Sequence, residues 1–378
     1  MTSIDAVVAG AGLWGCTVAR RLAESGRNVL VLEKRPVVGG NVRCETDPAT
    51  GIEIHTYGSH IFHTHLDDVW DFVNRFISFN GYQHKVLARY KGKTYFLPLG
   101  LTLVNQFYGI NLTPSELPAF IANEASRDVP QGVTPSNFEE QAISFVGRPL
   151  YEAFIRDYTR KQWGRDPKEL DASIIRRLPV RTSYDVNYFS DYRQGIPLTG
   201  YNSLFDRLLN HPNITVQCDT DWLTWKEGEG KALSHLPVFY SGPIAALFGY
   251  KFGALEWRSL NFEVERVNCA DYQGTSVVNY TLADVPWTRI HEYKHYHPEQ
   301  KDVMAHPETI ICKEFPKKWE LGDEPYYSVN NRETDELLAK YKQEAAKMSN
   351  ITIGGRLGEY KYYDMDQSIA RALAVDLT

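Results

Sequence analysis

Apolar positions along the chain fall into two periodicities. Ala6-Val7-Val8-Ala9 and Val29-Leu30-Val31-Leu32 are unbroken apolar runs, as expected of strands buried on both faces. Between them Val18, Ala19, Leu22 and Ala23 recur at helical spacing and predict a helix. The spacing predicts another helix over 67–76. The stretches 85–90 and 94–98, parted by Gly92, predict a hairpin. From 101 to about 178 the pattern is mostly helical, with starts signalled by Thr113-Pro-Ser-Glu and Thr134-Pro-Ser-Asn-Phe-Glu. A helix over 201–209 and strands over 214–218 and 237–240 follow, and strand alternation dominates from 257 to about 325. The last elements are a strand at 350–353 running into Gly354-Gly355, and a helix start at Asp364.

The first strand runs directly into Gly10-Ala11-Gly12-Leu13-Trp14-Gly15, and the second strand ends on Glu33. A strand, a G-x-G-x-x-G turn, a helix and an acid about 20 residues on form a dinucleotide-binding unit. Gly10 allows the turn, Gly12 opens backbone N–H groups to a pyrophosphate, and Gly15 lets the helix approach the strand. Glu33 accepts from ribose hydroxyls and repels a 2′-phosphate. The doublet Gly39-Gly40, followed by Asn41, favours FAD over NAD. The fold expected is therefore α/β, with a discontinuous Rossmann-like FAD-binding domain (1–78, 196–246 and 346–378). It carries an inserted helical domain (99–177) and an antiparallel β-sheet domain (79–98, 178–195 and 247–345).

Composition narrows the function classes. A net charge of −6 gives no general affinity for nucleic acid or anionic membrane. No apolar run reaches transmembrane length and no leader precedes the first strand, so neither membrane insertion nor export is expected. Five scattered cysteines without C-x-x-C spacing point to a reducing cytoplasm and to neither disulfides nor zinc.

Three further features bear on chemistry. Gly354, Gly355 and Gly358 let backbone approach a planar ligand, and a helix beginning near Met365 and carrying Ser368 directs its dipole there. From Arg156 to Arg181 the local charge is +4, interleaved with Phe154, Tyr158 and Trp163, which suits an anionic ligand with a stacking base. The histidines of Tyr57-Gly-Ser-His-Ile-Phe-His-Thr-His complete no metal set, so no metal is expected. On the glycine motifs alone an amine-oxidase-like flavin oxidase stands open.

Several longer motifs occur in order: Tyr57-Gly-Ser-His-Ile-Phe-His-Thr, Asp157-Tyr-Thr-Arg-Lys-Gln-Trp-Gly, Leu178-Pro-Val-Arg, Pro286-Trp-Thr-Arg-Ile and Arg356-Leu-Gly-Glu-Tyr-Lys-Tyr-Tyr-Asp-Met-Asp. Together they resemble the bacterial UDP-galactopyranose mutases over the whole chain. The resemblance implies an isomerase that interconverts UDP-galactopyranose and UDP-galactofuranose with no net redox change. Reduced FAD would act through N5 as nucleophile on the anomeric carbon. It implies Arg181, Arg289 and His63 as catalytic residues. Phe154, Tyr158, Trp163, Arg181, Tyr192, Arg289, Tyr327, Tyr362 and Asp364 would bind substrate, with Arg181 on a mobile loop at 172–185. Gly10, Gly12, Gly15, Glu33, Gly39, Gly40, Asn41, His60, Arg356, Asp364, Met365 and Ser368 would hold the cofactor. A homodimer is implied by the same likeness. Trp14, Ile155 and Ala245 depart from the pattern, in the glycine motif, beside Phe154 and where an acid is common, and these departures leave a non-catalytic nucleotide-sugar sensor open as an alternative.

Overall fold

The computed structural model describes residues 3–130, 132–175 and 180–377. Its central element is a five-stranded parallel sheet in the order Ile351–Ile353, Val238–Tyr240, Ala6–Ala9, Val29–Leu32, Ile214–Gln217. The unbroken apolar runs form its two inner strands next to Val238–Tyr240, and each is fully buried. Both ends and the middle of the chain thus contribute to one sheet. Helix Leu13–Glu24 lies on it, flanked by Asn202–Leu209 and Met365–Leu373.

A second sheet has seven strands, in the order Tyr327–Ser328, Trp257–Val267, Thr309–Lys318, Arg289–Glu292, Val277–Tyr280, Val86–Tyr90, Lys93–Leu97. It is antiparallel except where Val277–Tyr280 meets Val86–Tyr90 in parallel. Those two strands are joined by a long excursion rather than a hairpin, which frees them from the antiparallel constraint. The excursion contains helices Leu101–Tyr108, Leu117–Ser126, Phe138–Val146, Arg148–Phe154 and Arg156–Trp163, the first four packed on Leu101, Val104, Leu117, Ile143 and Leu150. Among the described residues no helix is long and apolar enough to cross a membrane.

The helix starts differ in detail from the motif reading. Asn137, not Thr134, caps Phe138–Val146, its Oδ1 accepting from Glu140 N at 3.0 Å. At the earlier motif the Thr113 side chain donates rather than accepts: its Oγ1 and the backbone N reach Glu116 Oε2 at 2.7 and 2.8 Å, while its carbonyl accepts from the Glu116 and Leu117 amides, and the helix begins at Leu117. The expected loop 172–185 runs through 176–179, which lie outside the described residues.

The departures have physical explanations. Ala245 is buried in a largely apolar cluster with Ile244, Leu255, Trp257 and Tyr341, where burying a carboxylate would be costly. Ile155 packs into the core of the helical segment. Trp14 fits because the final glycine loop leaves it room: a Cβ on Gly354 would lie 2.2 Å from the indole ring. We expect Gly354→Ala to lower stability by about 1–3 kcal/mol through overpacking. Paired with Trp14→Ala it should cost less than the sum of the single changes, read as thermal midpoints. Additive losses would show that the two positions do not share this space.

Candidate functional site

One cavity of about 1290 Å³ connects the two sheets. At one end stands the glycine turn after Ala6–Ala9. Gly10 has φ of 103°, and a Cβ on Gly15 would lie 1.9 Å from Gly10 O, so the helix can start there only with glycine. The helix cap at Gly12 has no side-chain partner, which leaves first-turn N–H groups for a ligand. Gly12 and Gly40 also face each other closely: a Cβ on Gly40 would stand 3.1 Å from Gly12 Cα. Glu33 is buried, and its carboxylate accepts from Ala11 N at 2.7 Å and Arg35 N at 2.9 Å. Two further lone-pair sites remain for ribose hydroxyls. Arg35 joins this end, bonded to Asn41 Oδ1 at 2.9 Å, paired with Glu324 at 2.7 Å and lying 4.5 Å over the Tyr57 ring. This cradle of close backbone, free amides and a buried acid fits a dinucleotide.

The final glycine loop, with Gly355, Arg356, Asp364, Met365 and Ser368, lines the middle of the cavity. Gln367 Oε1 accepts from Asp364 N at 3.1 Å, which sets the start of helix Met365–Leu373. Burial raises the Asp364 pKa, against the pull of His63. His60 and His63 line the same region. His60 donates from Nδ1 to Gly58 O at 2.7 Å, and burial, then His55, brings its pKa down to about 3. It is therefore neutral, with Nε2 a lone-pair acceptor. His63 is 2.7 Å from Asp191 through Nδ1 and stacks on Phe189 at 3.7 Å.

At the far end Tyr158, Gln162 and Trp163 project from helix Arg156–Trp163, and Arg289 from its strand. Arg289 Nε is buried and 3.1 Å from Glu314 Oε1, yet makes no hydrogen bond. Burial raises the Tyr158 pKa to about 12, so it is a phenol that donates. Tyr327 and Tyr362 stack at 5.4 Å beside them, with Arg356 5.4 Å from the Tyr362 ring. Lys161 ties this end together, its ammonium reaching the carbonyls of Tyr280, Leu282 and Trp287 at 2.7, 2.7 and 2.8 Å. That contact fixes the Tyr158 helix to the turn before Arg289.

Three expected site residues are not brought to the cavity. Phe154 is buried among Tyr90, Tyr95 and Phe107, behind the wall. Arg181 is pinned by its backbone to Leu99 and Leu101, and its guanidinium holds the carbonyls of Asn187 and Tyr188. Tyr192 is 74% exposed, its ring covered by Arg193. The other expected residues, from Gly10 to Ser368, line the cavity. Residues the sequence reading did not assign to the site are Ser59, His291, Glu314, Asp191 and Arg35; Ser59, inside the Tyr57-to-Thr64 motif, and Arg35, beside Glu33, carried a local signal.

His55 lies near Cys44 and Glu53, with donor atoms within 4.8 Å of one another. His55 Nδ1 accepts from His60 N at 3.0 Å, so Nε2 carries the proton and faces Glu53 at 3.6 Å. The grouping is thus an acid between His55 and His297. Burial opposes its charge, but those histidines hold the Glu53 pKa down to about 2. A depressed acid stabilises the fold above its unfolded pKa, and that contribution is lost as pH falls toward 2. We expect Glu53→Gln to flatten the fall of thermal midpoint between about pH 4.5 and 2. An unchanged acid limb would show that Glu53 carries no such charge.

Comparison with known proteins adds a second line. The family model for UDP-galactopyranose mutase matches residues 153–362, and a model for an NAD(P)-binding Rossmann-like domain matches 8–76. A probable UDP-galactopyranose mutase of Klebsiella pneumoniae is 40% identical, covering 99% of this chain and 94% of its own. A dTDP-fucopyranose mutase of Escherichia coli is 41% identical, covering 97% of this chain and 96% of its own. A crystal structure of reduced UDP-galactopyranose mutase superposes with a TM-score of 0.73 at 16% identity, over 98% of this chain and 94% of that one, which shows the shared fold.

Proposed function

This chain belongs to the UDP-galactopyranose mutase family, and from that membership we propose that it interconverts UDP-galactopyranose and UDP-galactofuranose by ring contraction, with FAD as cofactor. The observation that carries the reading is the placement of Arg289, half-buried, paired with Glu314 and with its Nε making no hydrogen bond, in the cavity that begins at the Gly10 turn. When bound and reduced, FAD would supply at N5 nucleophilic chemistry toward the anomeric carbon, with no net redox change. Gly10, Gly12, Gly15, Gly39 and Gly40 would bring backbone to its pyrophosphate, and Glu33 would take its ribose. Gly355, Arg356, Met365 and Ser368 would border its ring system.

Arg289 would grip the diphosphate with a charge-assisted contact, strongest as negative charge develops on the leaving group. Tyr327, pushed to higher pKa by burial, and Tyr362, which is half exposed, would donate to the same phosphates as neutral phenols. Tyr158 would stack on the base, and Trp163 would close the sugar side against water. His63, held by Asp191, and Asp364 would sit at the sugar. Arg181 would join only by releasing the Asn187 and Tyr188 carbonyls.

The relative named dTDP-fucopyranose mutase favours a second substrate, a thymidine-linked 6-deoxyhexose. Chromatography of the reduced enzyme with each nucleotide sugar decides between them. A kcat/KM higher for UDP-galactofuranose supports the first reading; preference for dTDP-fucofuranose replaces it with the second.

A further inference from the structure

Four groups, two of them buried and two half-buried, form a line across the wall of the cavity. Ser59 Oγ lies 2.7 Å from His291 Nδ1, His291 Nε2 lies 3.3 Å from Glu314 Oε2, and Glu314 Oε1 lies 3.1 Å from Arg289 Nε. All four residues line the cavity. The sheet explains part of the line. Arg289 faces Glu314 across the strands, and His291, two residues on, shares that face. His291 and Glu314 are 1% and 3% exposed, so water does not compete for the contact between them.

The direction of each hydrogen bond follows from charge. Burial opposes the Glu314 charge, but Arg289 and then His291 hold its pKa below the usual carboxylate value, so it is an acceptor only. Burial lowers the His291 pKa, so the ring is neutral and has one N–H. That proton must lie on Nε2, toward Glu314. Nδ1 is then an acceptor, and the Ser59 hydroxyl must donate to it. A neutral imidazole with a fixed tautomer therefore links the ion pair to Ser59.

Ser59 sits in the turn Tyr57 to Ile61, every residue of which lines the cavity. The turn is held on the dinucleotide side by Arg35 over Tyr57 and by His55 under the His60 amide. We propose that His291 is a positioning residue which, through Ser59, couples occupation of Arg289 by a diphosphate to the geometry of this turn beside the cofactor. The inference rests on the reading of Arg289 given above. A phosphate at Arg289 shares the guanidinium with Glu314. The carboxylate then takes more from His291, whose Nδ1 becomes the stronger acceptor for Ser59.

The test is a UDP titration of the oxidised holoenzyme, followed by calorimetry and by the flavin difference spectrum. In the unsubstituted enzyme UDP binding perturbs the flavin absorbance. Ser59→Ala leaves the strand, Glu314 and Arg289 in place, so UDP binds within about threefold of the unsubstituted Kd. Its difference spectrum falls to less than half, and Ser59→Thr, which keeps the hydroxyl, restores it. His291→Phe gives the same loss if it folds. An unchanged spectrum in Ser59→Ala overturns the coupling. UDP binding without any flavin response in the unsubstituted enzyme also overturns it and leaves the mutase reading intact. No UDP binding at all removes both.

Discussion

Arg289→Ala retains its flavin and loses turnover by about 10³-fold. The guanidinium lies in the cavity and contributes nothing to the glycine cradle, so cofactor content should match the unsubstituted protein. On the proposed function, removal would leave the diphosphate without its charge-assisted partner at the moment charge develops on it. It also leaves Glu314 buried without a counter-ion, a state that costs about 3–5 kcal/mol. Thermal midpoints must therefore be measured alongside kcat. Arg289→Lys keeps the charge but not the planar fork, and should recover part of the rate and most of the stability. Near-normal turnover in Arg289→Ala would remove the residue from the reaction.

Glu33→Ala has an effect of similar size by a different route: the protein purifies with little or no flavin. The Glu33 carboxylate accepts from two backbone amides that shape the first glycine turn and the chain after the second strand. Without it those buried donors are unpaired, at about 1–3 kcal/mol each. On the proposed function the ribose partner would be lost as well. Flavin affinity should fall by about 10²–10³-fold, read as the flavin-to-protein absorbance ratio after gel filtration. Full flavin content in this variant would place the ribose elsewhere.

The two ends of the molecule were legible in the sequence for physical reasons. An unbroken apolar run, a glycine turn and an acid at a strand tip have one low-energy arrangement, so Ala6 to Glu33 could be read locally. The same holds for Asp364 to Ser368, where an acid opens a helix after a glycine loop. The Ser59–His291–Glu314 line could not be read this way. Its members are 232 and 23 residues apart, and only the register of the second sheet aligns them. Arg181 and Tyr192 show the converse: a motif gives residue type, but not which carbonyls or cations hold the side chain. Phe154 belongs to the helical period and went to the core that the period serves. Trp14 in a glycine motif made sense only once Gly354 was seen across from it, some 340 residues later.

The central claim is a rearrangement without net redox that nevertheless needs a reduced cofactor. The most direct measurement is conversion of UDP-galactofuranose to UDP-galactopyranose, followed by chromatography, with and without dithionite. The account predicts conversion after reduction and almost none in the oxidised protein. Equal conversion in both states, or none in a reduced, flavin-loaded protein that binds UDP, would contradict it.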